Sequence, residues 1–130
     1  MLFFIYGTLK KGGNNHSVLK THAKKEKIST AFGIPVKTTH KFPMYASSYG
    51  FPFLMKKKGL GDIISGELWD IKDGNIHYMD DFEGTPDLYT RGKIDLIDEK
   101  TSIIYKDVQV YFETEQTDIR DNPLISEWEI

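Results

Sequence analysis

Two short stretches of the sequence hold residue types that could act on a substrate. Near the start, Phe3-Phe4-Ile5 runs straight into Tyr6-Gly7-Thr8-Leu9, with Gly12, Gly13, Asn14 and Asn15 close behind. Glycine and small polar residues after an apolar strand leave backbone N–H groups uncovered, and such groups bind anions. Farther on, "KDGNIHYMDDFEG" (72–84) carries a helical pattern that ends on Glu83. At about 100° per residue, with Ile76 as zero, Phe82 falls near 240°, Met79 near 300° and Glu83 near 340°, so Glu83 shares the inward face with two apolar residues. Asp81 and His77 fall on the opposite face. Glu83 also occupies the last turn, beside Gly84, where the helix dipole presents its negative end. Burial and the dipole both disfavour the carboxylate, and a carboxyl tuned upward suits a general base working near neutral pH. Periodicity alone also permits a frayed helix end with Glu83 in solvent, and Gly7-Thr8 also reads as a plain turn.

Other chemistries lack their residues. The spacing Gly7-x4-Gly12 is followed by Gly13-Asn14 rather than Lys-Ser or Lys-Thr, so the loop is not a nucleoside triphosphate P-loop. No serine lies in a G-x-S-x-G elbow. His16, His22, His40 and His77 show no metal-ligand spacing, and the chain has no cysteine, so no metal site is expected. The missing cysteine also removes thiol nucleophiles and disulfides, and it suits a reducing compartment. With 17 Lys and Arg against 19 Asp and Glu, the net charge of −2 argues against a nucleic-acid surface. No apolar run approaches the roughly 20 residues of a membrane span. The start has no basic n-region and no small-residue cleavage site, and a cytoplasmic protein is expected.

The elements that must position the two stretches are mostly strands. At 130 residues the expectation is one domain over 1–130 with an ordinary hydrophobic core. Residues 2–6 are apolar throughout and read as a buried strand. A short helix started by Asn14 or Asn15 is expected over 14–23. "KKEK" (24–27) reads as a solvated charge cluster. The stretch 28–37 reads as a strand interrupted at Gly33 and Pro35, and the Pro- and Gly-rich region that follows as loop with short strand segments. Strands are expected at 62–71, 89–98 and 106–114, the last two paired across a turn at Asp98, Glu99 and Lys100. A second helix is expected over 72–84, capped by Asp73 or Asn75 and stopped by Gly84. The tail 116–130 carries Ile119, Leu124, Ile125 and Trp128 and is expected to pack down. Strands with two short inserted helices make an α+β protein around a closed or strongly curved sheet.

The two stretches combine into a known pattern. "YGTLKKGGNNHSVL" (6–19) followed by "GELWDI" (66–71) and "MDDFEGTPDLYTR" (79–91) resembles the γ-glutamylcyclotransferase-like family, and within it the γ-glutamylamine cyclotransferases, or AIG2-like proteins. Met79 stands where the family has leucine, an apolar exchange, and past residue 91 the likeness fades. The resemblance implies a small mixed β-barrel with short flanking helices. It implies that Tyr6, Gly7, Thr8 and Leu9 line the γ-glutamyl pocket, with their backbone N–H groups on substrate oxygens. It implies that Glu83 is the catalytic glutamate. Pro86, Tyr89 and Arg91 match the family's P-x-x-Y-x-R. Tyr89 is expected in the pocket, with its hydroxyl reaching the substrate or Glu83. Arg91 is expected to be structural, paired with Asp80 or Asp81.

The implied reaction turns a γ-glutamyl amide into 5-oxoproline and a free amine without water, metal or cofactor. The implied partner is therefore a small-molecule γ-glutamyl substrate. The leaving group could instead be that of glutathione or another γ-glutamyl compound, or the barrel could bind such a molecule without turnover. Phe42, Tyr45, Tyr49, Phe51 and Phe53 read as packing residues that could also offer an aromatic wall to the leaving group. A monomer is expected from the near-balanced charge.

Overall fold

A computed structural model describes residues 1–7, 10, 33–46, 51–71, 89–113 and 123–129. The apolar N-terminal run forms strand β1, Leu2–Ile5. It is followed by β2 (Ile34–Phe42), β3 (Met44–Ala46), β4 (Pro52–Leu54), β5 (Asp62–Asp70), β6 (Tyr89–Asp98) and β7 (Ile103–Glu113). Five strands close a barrel in the order β1-β5-β2-β6-β7, while β3 and β4 pair as a separate two-stranded sheet. The barrel pairings are antiparallel except the one that closes it. There β1 runs parallel to β7, with Phe3 opposite Gln109.

Alternation sorts the side chains. Val108, Val110 and Phe112 of β7, Ile94 and Leu96 of β6, Ile64 and Leu68 of β5, Val36 and Phe42 of β2, and Phe4 of β1 belong to one buried cluster. These alternate positions share the inward face of a closed sheet. The barrel is narrow enough that one inward position must be empty. A Cβ at Gly66 would lie 2.5 Å from Phe4 Cε1 and 2.7 Å from the Ile5 carbonyl oxygen, so the Phe4 ring fills the room a side chain would need. Gly61 leads into β5 at φ +79°, where a Cβ would meet the Phe42 carbonyl oxygen at 2.5 Å.

Several expected boundaries move. The strand expected over 28–37 begins after Gly33 and runs on to Phe42, passing through Pro35. Pro35 is tolerated because β2 there pairs only with β5, and pairing with β6 begins at Lys37. The last strand starts at Ile103, three residues before the alternation at 106–114 suggested. The turn before it is held by the Lys100 N–H donating to Asp98 Oδ1 at 3.0 Å and the Ser102 N–H donating to the Asp98 carbonyl at 2.7 Å. The helices expected at 14–23 and 72–84 lie outside the described residues, so the flanking-helix part of the expected α+β fold does too.

The β2–β5 pairing slips between Lys37 and Lys41, which gives the barrel a bulge. Thr38, 1% exposed, bridges the gap. Its Oγ1 accepts from the Ile64 N–H at 3.0 Å and donates to the His40 carbonyl at 2.6 Å. Thr38→Val keeps the shape and leaves the buried Ile64 N–H without its acceptor, so it is expected to destabilise by about 1–3 kcal/mol. Urea unfolding of the two proteins, with an unchanged slope, measures it.

Candidate active site

The end of the barrel where β1 stops gathers the residues that the sequence singled out and the structure describes. Tyr6 follows β1 and is 7% exposed. Its ring joins the core beside Phe4, and its hydroxyl donates to the Tyr111 carbonyl of β7. Tyr6 therefore ties β1 to β7 from the end of the barrel. Gly7 then turns the chain, and the Lys10 N–H donates to the Gly7 carbonyl at 3.1 Å. A Cβ on Gly7 would stand 3.2 Å from Pro52 Cδ, so the β4 proline lies against the bare backbone of the loop. Thr8, Leu9 and Glu83 lie outside the described residues.

Tyr89 opens β6 and is 8% exposed. Its hydroxyl donates to the Pro52 carbonyl at 3.2 Å. Pro52 thus joins the two halves of the candidate site, with Gly7 against its ring and Tyr89 on its carbonyl. The β3–β4 pair holds it there, with Ala46 opposite Pro52. Arg91 lies opposite Tyr111 in register and is exposed. Asp80 and Asp81, the carboxylates expected to meet it, lie outside the described residues. Of the aromatic residues between 42 and 53, Phe42 packs against Phe112 in the core. Phe53 is buried and meets Phe51 edge to face at 5.4 Å. Tyr49 lies outside the described residues.

One residue at this end was not anticipated. Glu113 closes β7 opposite Tyr89 and is 5% exposed. Its Oε2 has no hydrogen-bond partner among the described residues. Burial pushes the carboxyl up from the ordinary glutamate value of 4.5 to about 7. In the sequence, Glu113 follows Phe112 on the strand face opposite to Val108, Val110 and Phe112, which reads as a solvent position. The signal that could have found it is the pairing of β6 with β7, because that pairing sets the glutamate beside Tyr89.

The described part of the tail, residues 123–129, is tied down by its backbone rather than by Leu124, which is 52% exposed, and Ile119 lies outside the described residues. The Ala46 N–H donates to the Pro123 carbonyl, the Ile125 N–H to Met44, and the Ser65 N–H to Ser126, all at 2.8–2.9 Å. Lys10, 5% exposed, donates from Nζ to the Trp128 carbonyl at 2.5 Å and stands 3.9 Å from Glu127 Oε1. The last described residues are thereby pinned to the loop that follows Gly7. A cleft of about 350 Å³ opens elsewhere, beside Lys37, Gly66 and Asp98. It holds the exposed Lys37–Glu99 ion pair at 3.2 Å, and none of Tyr6, Gly7, Tyr89 or Glu113 lines it. Among the described residues no group of three His, Cys, Asp or Glu could hold a metal ion. No helix among them is long and apolar enough to cross a membrane.

Known proteins resemble this chain in sequence and fold. The family model described as "Gamma-glutamyl cyclotransferase, AIG2-like" matches residues 3–129. Gamma-glutamylaminecyclotransferase A of Danio rerio is 38% identical over 96 residues, 72% of this chain and 56% of that protein. The human gamma-glutamylaminecyclotransferase is 36% identical over 91 residues, 69% of this chain and 58% of that protein. The match thus spans little more than half the length of these curated relatives. The crystal structure of an AIG2-like protein from Mus musculus superposes with a TM-score of 0.84 at 26% identity, over 98% of this chain and 87% of that one.

The buried carboxyl makes stability depend on pH. Below about 4.5, Glu113 is protonated in the folded and unfolded chain alike. Between about 4.5 and about 7 the unfolded chain releases that proton and the folded one keeps it. Stability therefore falls as pH rises through this window and levels off above it. Glu113→Gln is expected to melt with wild type near pH 4 and above it at pH 8, as thermal unfolding across that range will read.

Proposed function

This chain belongs to the AIG2-like gamma-glutamyl cyclotransferase family, and from that premise we propose that it cyclises γ-glutamyl amines to 5-oxoproline and releases the free amine. The observation that carries the reading is the meeting of Gly7, Pro52 and Tyr89 at one end of the barrel, where the two halves of the family pattern come together. The names of the vertebrate relatives support an amine as the leaving group.

The reaction is intramolecular. The glutamyl α-amine attacks its own γ-carbonyl carbon, a C–N bond forms to close a five-membered ring, and the former amide C–N bond breaks. The nucleophile is tethered to its target, so the substrate supplies much of the orientation itself. In this reading Glu83 takes the proton from the α-amine and hands it to the departing amine. Backbone N–H groups of residues 6–9 hold the α-carboxylate and the oxyanion that develops on the γ-oxygen. The anion at the glycine-rich loop is thus a carboxylate.

Incubation with γ-glutamyl-ε-lysine, and in parallel with glutathione, tests the reading by mass spectrometry of 5-oxoproline. Release from the lysine conjugate is expected, and failure to form 5-oxoproline from either compound defeats it. Glu83→Gln keeps the shape of the side chain and removes the base, so turnover is expected to fall roughly 10²–10⁴-fold. Asp81→Asn, on the opposite helix face in the sequence pattern, serves as the control. At Gly7, alanine asks Pro52 to give by a few tenths of an ångström, whereas valine adds two methyl groups to the same gap. Gly7→Ala should therefore stay active. Gly7→Val should melt cooperatively yet lose activity by about tenfold or more, since small misplacements of a bound substrate are costly. Rates and melting curves on the same samples separate the two.

A further inference from the structure

Glu113 ends β7 with a carboxyl that the fold buries, and its Oε2 meets no hydrogen-bond partner among the described residues. A buried acceptor without a donor costs about 1–3 kcal/mol, and a charged one more. The barrel core gains nothing from a carboxyl there, because the inward positions of β7 end with Phe112.

Its neighbours say which donor would relieve it. The parallel register joins Phe3 to Gln109, β1 stops at Ile5, and Tyr6 just beyond it donates to the Tyr111 carbonyl, so the chain leaves β1 at the end of the barrel where β7 also ends. Glu113 therefore lies at the same end of the barrel as Gly7, with Tyr89 directly opposite it across the β6–β7 ladder. In the γ-glutamyl reading, on which this inference rests, the loop at Gly7 holds the substrate's α-carboxylate. The α-ammonium is attached to the same carbon as that carboxylate, so its acceptor belongs immediately beside the loop. The leaving amine lies at the far end of the glutamyl chain.

We infer that Glu113 is this acceptor, a substrate-binding carboxylate that takes the α-ammonium of the γ-glutamyl group and holds the amine toward its own γ-carbonyl. The ammonium brings the donor that Oε2 lacks and the counter-charge that burial denies a carboxylate. Removal of the proton remains with Glu83. A γ-acyl compound without the α-ammonium leaves Glu113 as it is in the empty site and is bound correspondingly less well.

L-Glutamine and glutaramate differ only in the α-ammonium. Their Kd values for wild type and Glu113→Gln are measured by calorimetry, and 5-oxoproline formation from γ-glutamyl-ε-lysine is assayed on the same preparations. A charge-assisted hydrogen bond of this kind predicts that wild type prefers glutamine by about 10- to 100-fold and that Glu113→Gln loses most of that preference. A residue with a merely structural role would weaken both ligands alike and leave the ratio in place. A wild-type ratio near one, a ratio indifferent to residue 113, or no binding of either ligand to wild type overturns the assignment. Turnover with an indifferent ratio refutes Glu113 and keeps the cyclotransferase. A ratio that depends on residue 113 without turnover keeps the Glu113 assignment and refutes the cyclotransferase.

Discussion

Closure of the barrel between β1 and β7 is the constraint on which the other features hang. Four antiparallel pairings could produce an open, curled sheet. The parallel contact at Phe3 and Gln109 turns it into a ring. Two side-chain contacts reinforce that seam. Phe3 stacks on Tyr111 at 5.9 Å between ring centroids, and the Tyr6 hydroxyl reaches the Tyr111 carbonyl. A ring has no free sheet edges, so the backbone groups that an open sheet would expose are consumed internally. Closure also brings the end of β7 to the end of the barrel at which β1 stops.

The short β3–β4 pair does for the site what the seam does for the barrel. It is too small to be stable alone. It is held because Ala46 and Met44 bond to the tail, because the Met55 N–H donates to the Pro43 carbonyl, and because Phe53 and Met55 carry their own small cluster. Its reward to the fold is the placement of Pro52, whose ring and carbonyl serve two different strands. A proline suits this position, since it lends its carbonyl and its flat ring with little conformational freedom of its own.

Much of the barrel was legible from alternation. The stretches 89–98 and 106–114 carry alternating apolar residues, Ile94 and Leu96 in the first and Val108, Val110 and Phe112 in the second, and residues 89–98 and 106–113 lie in β6 and β7. Pro35 misled because a proline is read as a break unless the reader knows that its strand has a single neighbour at that point. Tyr6 shows the limit for the site. The loop it opens was marked by its glycines, but the commitment of the Tyr6 hydroxyl to Tyr111 depends on a contact 105 residues away. Glu113 was invisible for a related reason. A glutamate on the outward face of a strand is ordinary, and what buries this one comes from long-range packing, in which β4 meets β7 and Tyr89 stands opposite Glu113. Local pattern gives faces and periods, whereas the identity of what lies across a face is a long-range fact.

The tether between Lys10 and the Trp128 carbonyl has a consequence for motion. An ammonium that has given up its water for one carbonyl and a distant carboxylate regains that water when the tail lifts, and Lys10 parts from Trp128 in the same event. Release of Lys10 and displacement of Trp128 are therefore linked. The Ser65 and Ile125 amides, bonded to and within that tail, report on the same opening.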